Sequence, residues 1–245
     1  GRDGRRDVQE IVLLTSSVQD VGVVIVAAGT GSRTGSNELK QFRWVAGKPM
    51  LLHSVQLFQQ REDVCMVVAV LPKNYAGDPP PWIFQSDISR LLIGVGGAHR
   101  GASVRNGLDD LPKEARIVVV HDAARPFVLD DTVSAVIAAA RAGTAAVAAL
   151  PETDTLKRVG DDGRVLATVS REQLWRAQTP QAFPRDMIDE VTRRANREDV
   201  TATDDAALCE QFGYPVVVVA GSERAMKITT EADFARAEAL SMLAV

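Results

Sequence analysis

Cysteine, histidine, long apolar runs and excess charge of one sign are all scarce in this 245-residue chain, and each shortage removes a class of function. The two cysteines, Cys65 and Cys209, sit in apolar or helical contexts without partners at metal-ligand spacing, which suits plain core thiols in a reducing cytosol. The three histidines give no nucleophile–base set and no metal spacing: His53 and His99 are assigned no role, and His121 is expected to be a structural hydrogen-bonding residue. No apolar run much exceeds about ten residues, half of what a bilayer-spanning helix needs, and Ile11 to Leu14 is too short to seed a signal peptide. Net charge is −4 with both signs spread along the chain, so nothing points to a nucleic-acid surface, and any anion site must be a local cluster. The expectation is a cytoplasmic protein with no membrane or nucleic-acid partner.

What is there is organised around the stretch from Val21 to Phe42. Val21 to Val26 is an almost continuous β-branched run, the pattern of a strand covered on both faces in a parallel sheet. Gly29 and Gly31 follow directly. Glycine permits positive φ and close approach, so the amides of this loop can turn toward an anion. Neither standard phosphate loop fits: a dinucleotide fingerprint and a Walker A loop both require glycine at position 34, which is Thr34, and the nearest glycine is Gly35. Instead the loop carries Arg33 and is followed by Lys40. Fixed cations beside main-chain donors suit a triphosphate whose charge grows during reaction; a glycine turn with two solvated cations is the plainer alternative.

The rest of the chain alternates strands and helices at a length that fits one large domain and needs no second. Residues 1–20 show no settled period and read as an extension or tag remnant, with the domain at 21–245. Pro49 opens an amphipathic helix carrying Leu51, Leu52, Val55 and Phe58. Val64 to Leu71 is a strand, Asn74 to Pro81 a loop, Trp82 to Arg90 a short helix, and Leu91 to Val95 a strand. Gly96 and Gly97 then lead into a helix from about Ala102, repeating the strand, glycine turn and helix, with Arg100 and Ser103 near its start. Ile117 to Val120 is a further strand with His121, Asp122 and Arg125 at its carboxyl end, where open α/β sheets bind ligands. Asp122 is accordingly the candidate Mg²⁺ ligand, since that ion takes one or two carboxylates and fills its shell with phosphate oxygens and water; capping a turn is the alternative role. After a helix at Asp130 to Arg141 and a strand at Thr144 to Leu150, residues 151–171 break the rhythm with two alternating runs around Asp161-Asp162-Gly163, a β-hairpin. Leu174 to Phe183 reads as a structural return into the core, stopped by Pro180. Helices near Pro184 to Ala195 and Asp204 to Phe212, a strand at Pro215 to Ala220 and a Thr230/Asp233 helix cap complete the chain.

Ala27-Ala28-Gly29-Thr30-Gly31-Ser32-Arg33 with Lys40-Gln41-Phe42 resembles the start of the cytidylyltransferases that act on 2-C-methyl-D-erythritol 4-phosphate in the non-mevalonate isoprenoid pathway. Gly96 to Leu108, His121 to Pro126, Asp154 to Arg158, Leu174 to Phe183 and Thr203 to Ala206 resemble the same family in the same order, from about Val21 to the C-terminal helix. Leu39, where the family usually has proline, and Ala98, often polar there, are departures.

The resemblance implies a single Rossmann-like three-layer α/β domain with a mostly parallel sheet, a glycine-rich nucleotide loop and a protruding β-hairpin arm. CTP is the implied co-substrate and Mg²⁺ the cofactor. Arg33 and Lys40 would stabilise the reacting phosphate, while the main chain of Ala27, Ala28, Gly29 and Gly31 holds the triphosphate. Gly97 and Ser103 would contact cytidine, and Lys227 a phosphate. Ser103 could instead bond only its own backbone, and Lys227 could snorkel to water. Asp122, Arg125, Thr155 and Arg171 would serve the acceptor, the last two across a homodimer interface formed by the arm. Ribitol 5-phosphate remains an alternative acceptor. A sugar-1-phosphate nucleotidyltransferase and a nucleotide-binding regulator without turnover are the more distant readings.

Overall fold

The computed structural model describes residues 18–29 and 39–243. Strand β1 (Val21–Val26) is followed by a short antiparallel pair, β2 (Trp44–Val45) and β3 (Lys48–Pro49), then by helix α1 (Met50–Gln59) and strand β4 (Val64–Leu71). A one-turn helix α2 (Lys73–Ala76) and two 3-10 turns lead to β5 (Leu91–Val95) and α3 (Arg100–Asp110). Next come β6 (Ile117–Asp122), α4 (Asp130–Arg141), β7 (Ala145–Pro151) and the hairpin β8 (Leu156–Val159) and β9 (Val165–Val169). β10 (Trp175–Pro184), α5 (Arg185–Glu198), α6 (Asp205–Gln211), β11 (Val216–Ala220) and α7 (Glu231–Ser241) complete the order.

Seven strands form the central sheet in the order β11-β7-β10-β6-β1-β4-β5. β1, β4, β5 and β6 run parallel, as do β7 and β11, while β10 is antiparallel to both its neighbours. The β-branched run of β1 is buried on both faces for a simple reason. Its side chains alternate, so Val21, Val23 and Ile25 enter one core with Leu51, Val55 and Phe58 of α1 and Val133, Val136 and Ile137 of α4. Val24 enters the other, with Val104 and Leu108 of α3, Ile188 and Val191 of α5, and Leu208 and Cys209 of α6. The result is the expected three-layer α/β domain with a mostly parallel sheet. A smaller cluster of Val45, Met50, Ile228, Phe234 and Ala237 fastens α7 beside β2. Thr230 and Asp233 cap α7 reciprocally, as the sequence indicates.

Three segments differ from their sequence reading. Lys73–Ala76 makes a helical turn inside the expected loop, and Trp82 to Arg90 forms two 3-10 turns, Pro81–Gln85 and Ile88–Arg90, in place of a helix. Five and three residues are too few for a cooperative α-helix, and the second turn is instead held by Asp87, which accepts from Ser89 N. The largest difference is Leu174 to Phe183. Pro180 does not end regular structure there; β10 continues through it, and the pairing with β7 slips between Ala177 and Gln181, where proline lacks an N–H.

The chain visits β1, β4 and β5 on one side of the sheet and then returns to β6 on the other side of β1. That reversal opens a crevice beyond the carboxyl ends of β1 and β6, where an open α/β sheet receives its ligand. The hairpin of β8 and β9 forms its own two-stranded sheet, with Gly163 at φ +80° in the turn.

Candidate active site

Gly29, Lys40, Gly97, Asp122 and Lys227 all line a cleft of about 540 Å³ in this crevice, within the range of small-molecule sites. Its first wall is the chain leaving β1. Gln41, nearly fully buried, donates through Nε2 to Ala27 O at 2.5 Å and to Gly29 O at 3.0 Å, while Ala27 N donates to Val70 O at 2.9 Å, so the chain leaving β1 is pinned and both main-chain groups of Ala27 are spent inside the protein. Phe42 anchors the same turn against Tyr75 and Trp82. Gly29 does not adopt positive φ, and a Cβ there would meet nothing within 4 Å among the described residues, so its glycine answers no steric demand from them.

The second wall is the turn between β5 and α3, where glycine is required. A Cβ at Gly97 would lie 2.8 Å from Ala102 C and 3.1 Å from Ser103 N. Ser103 Oγ accepts from Gly97 N at 3.0 Å and donates to His99 O, so this hydroxyl fixes the turn. His99, given no role from sequence, caps α3 by accepting from Ala102 N through Nδ1. The helix starts at Arg100, two residues earlier than expected.

The third wall is the end of β6. Asp122 accepts from Lys227 Nζ at 2.8 Å and faces the Arg100 guanidinium at 3.4 Å. Burial opposes its charge, but Arg100 and Lys227 outweigh it and draw the carboxyl down to about 2. Arg100 also binds Asp205 at 2.6 Å, forming a row of alternating charge from Lys227 to Asp205. Beneath it His121 is completely buried. Its Nε2 faces Arg125 O at 3.0 Å, and a carbonyl can only accept, so Nε2 carries the proton and Nδ1 accepts from Thr179 Oγ1 at 3.0 Å. Thr179 Oγ1 in turn accepts from Asp122 N, so β10 supports the metal-candidate carboxylate from behind. Gln178 bonds both main-chain groups of Ser222, and Gln181 bonds Asp204 and Ala206 N.

Of the residues assigned from sequence, Ala27, Ala28, Gly29, Lys40, Gly97, Ser103, Asp122 and Lys227 converge on the cleft. Arg125 stands beside them: its Nη1 donates to Ala225 O at 2.7 Å, and its buried Nε has no hydrogen-bond partner among the described residues. Thr155 and Arg171 do not line the cleft; both are exposed at the base of the hairpin, where Arg171 donates to Thr153 O. Gly31 and Arg33 lie outside the described residues, as does most of the 1–20 segment. Sequence reasoning gave no role to Gln41, Thr179 or Asp205. Each lay inside a quoted motif, but only the fold reveals what its side chain touches.

Comparison with known proteins decides what this cleft belongs to. The sequence model of the 2-C-methyl-D-erythritol 4-phosphate cytidylyltransferases, IspD, matches residues 21–242. The chain belongs to that family. A relative from Syntrophus aciditrophicus bearing the same name is 40% identical over 222 residues, 89% of this chain and 94% of its own length. The cytidylyltransferase structure from Thermus thermophilus is 34% identical, with a TM-score of 0.76 over 90% of this chain and 98% of its own. The 4-diphosphocytidyl-2C-methyl-D-erythritol synthase structure from Anaerococcus prevotii superposes with a TM-score of 0.80 at 27% identity, covering 93% of this chain and 98% of its own. This IspD-family chain is therefore a nucleotidyltransferase that moves a cytidylyl group from CTP to 2-C-methyl-D-erythritol 4-phosphate. The ribitol 5-phosphate alternative finds no such support.

The buried imidazole gives a pH prediction. Burial pulls the pKa of His121 down to about 4 in the folded chain, against about 6.5 unfolded. Below pH 6.5 the unfolded chain then binds a proton that the folded chain does not, so stability falls as pH drops from 6.5 to 4, by about 3 kcal/mol from this group. Denaturant midpoints in metal-free buffer across that window should slope upward with pH. The slope should flatten by one proton in His121→Gln; an unchanged slope in that variant would refute the assignment.

Proposed function

We propose that the cleft binds CTP with its triphosphate against the main chain of Ala28, Gly29 and Gly31, Ala27 lining the cleft beside them with its own N–H and C=O spent on Val70 and Gln41, and with its cytidine against Gly97. Ser103 serves that turn by fixing it. The observation that carries the reading is the convergence of Lys40, Lys227 and Arg100 on a cleft whose one lining carboxylate, among the described residues, is Asp122. Arg33, in the same loop by sequence, would add a further cation at the reacting phosphate.

A phosphate oxygen of the acceptor attacks the α-phosphorus of CTP, the bond from that phosphorus to its bridging oxygen breaks, and pyrophosphate leaves. The nucleophile is already largely anionic at neutral pH, since its second ionisation lies near 6, so no general base is needed. The site agrees: both ring nitrogens of His121 are spent on Thr179 and Arg125. Lys40, Arg33 and Lys227 then do the main work, drawing two polyanions together and balancing charge at phosphorus. The acceptor phosphate is assigned to Arg125 from the family resemblance; the residue stands behind the cleft lining, with Nη1 on Ala225 O.

For magnesium, no group of three or more His, Cys, Asp or Glu capable of holding a metal occurs among the described residues. Both oxygens of Asp122 face a cation, Lys227 or Arg100, so an ion held there would take the place of one of them; one that arrives on the nucleotide still fits, because Mg²⁺ takes most of its shell from phosphate oxygens and water. Asp122 would hold it, and the bound ion would neutralise triphosphate charge.

The arm supports a homodimer. Val159, Val165 and Leu166 are at least half exposed on it, and a lone two-stranded ribbon is only marginally stable, so a second subunit would cover them. Thr155 and Arg171, remote from their own cleft, would then complete the partner's acceptor pocket. No helix among the described residues is long and apolar enough to cross a membrane. The free thiols of Cys65 and Cys209 support a cytoplasmic setting.

Two measurements test this. Pyrophosphate release with Mg²⁺ and CTP is expected with methylerythritol 4-phosphate and not with ribitol 5-phosphate, to stop with EDTA, and to fall on the order of 10² to 10³ in Lys40→Ala. Turnover only with ribitol phosphate, or undiminished in Lys40→Ala, would contradict the reading. Sedimentation should show a dimer that Leu166→Asp shifts to monomer; a wild-type monomer would remove the arm's proposed role.

A further inference from the structure

Arg100 is the partition between two spaces. On one side it lines the large cleft beside Asp122 and Lys227; on the other it lines a smaller cavity of about 120 Å³ with Asp205 and Asp204. Asp205 does not line the cleft, and its side chain is only 4% exposed. A carboxylate that deeply buried is costly unless paired, yet α6 opens on it and its one ion pair among the described residues is with Arg100. The shorter contact of Arg100 is to Asp205, at 2.6 Å, and the longer one is to Asp122, at 3.4 Å. The guanidinium is thus held back from the cleft carboxylate by a second anion that no substrate could reach from the cleft.

We propose that Asp205 is a positioning residue: by anchoring Arg100 from behind, it keeps that cation from closing fully onto Asp122, and so leaves Asp122 one oxygen for Lys227 and a charge still available to the nucleotide end of the cleft. Three features converge on this. The two oxygens of Asp122 are divided between Lys227 and Arg100. Its main-chain N–H is fixed separately by Thr179, so the carboxylate is the part left free to respond to its cations. Asp205 is itself secured from the sheet side, because Gln181 of β10 bonds both neighbours, Asp204 Oδ2 and Ala206 N. Without the charge on Asp205, Arg100 has one anionic partner left among the described residues, which is Asp122. The inference rests on the cytidylyltransfer reading of the cleft, because it is the nucleotide that makes the charge of Asp122 matter.

The test compares Asp205→Asn, Asp205→Glu, Arg100→Gln and the double variant Asp205→Asn/Arg100→Gln in steady-state pyrophosphate release, with thermal melting of each. Asp205→Asn should lower kcat on the order of 10- to 100-fold, as losses of outer supporting groups do, with KM for CTP changed less than about threefold. Asp205→Glu should recover part of the loss. In the Arg100→Gln background, Asp205→Asn should cost nothing further, because its effect runs through Arg100. Wild-type kinetics in Asp205→Asn would overturn the proposal, and so would an equal loss with or without Arg100. If Asp205→Asn does not fold, the double variant, which removes both charges together, decides: matching Arg100→Gln alone supports the proposal, and a further loss of kcat contradicts it. A wild-type enzyme that releases no pyrophosphate from CTP would instead remove the cytidylyltransfer reading, a result distinct from any pattern among the variants.

Discussion

A negative charge taken out of water at the end of β6 is the constraint around which this site is arranged. Asp122 is nearly buried, and a buried carboxylate that loses a partner typically costs about 3–5 kcal/mol. Lys227 arrives from the segment before α7, Arg100 from the start of α3, and Thr179 from the bulged part of β10. Three elements far apart in the chain are thereby tied to one residue, Lys227 and Arg100 through its carboxylate and Thr179 through its main-chain N–H. The same arrangement leaves the lysine nearly half exposed, so the cation that stabilises the empty cleft is also accessible to an incoming phosphate.

The chemistry attributed to the cleft asks for little beyond this. A phosphate nucleophile needs no deprotonation, so the catalytic demand is electrostatic: cations and amides held in advance where charge gathers. Gln41 and Ser103 do the holding. Each spends its polar atoms on the main chain of a glycine turn, one after β1 and one after β5. Binding then meets Ala27 to Gly29 and the turn at Gly97 already fixed.

Much of this was legible in the sequence. The β-branched run of β1, the alternation of strands and helices, the hairpin around Gly163 and the Thr230/Asp233 cap follow from local pattern, because each is set by residues close in sequence. What escaped was set by distant partners. Leu174 to Phe183 reads as a broken segment because Pro180 lacks an N–H, yet it becomes a central strand since β6 and β7 supply pairing on either side of a register slip. Asp205 falls inside the helix expected from Asp204 and carries no signal of its own there; its significance exists only because the fold brings Arg100 against it across 105 positions. Gly29 shows the reverse: its pattern suggests a turn that needs positive φ, and that conformational freedom is not used.

The most direct measurement is the turnover of Asp122→Asn with CTP and methylerythritol 4-phosphate, alongside its melting temperature. The variant keeps the size of the side chain and removes the charge around which Lys227 and Arg100 are arranged. The account predicts a folded protein with kcat lowered on the order of 10² to 10³. A folded variant turning over at the wild-type rate would contradict it.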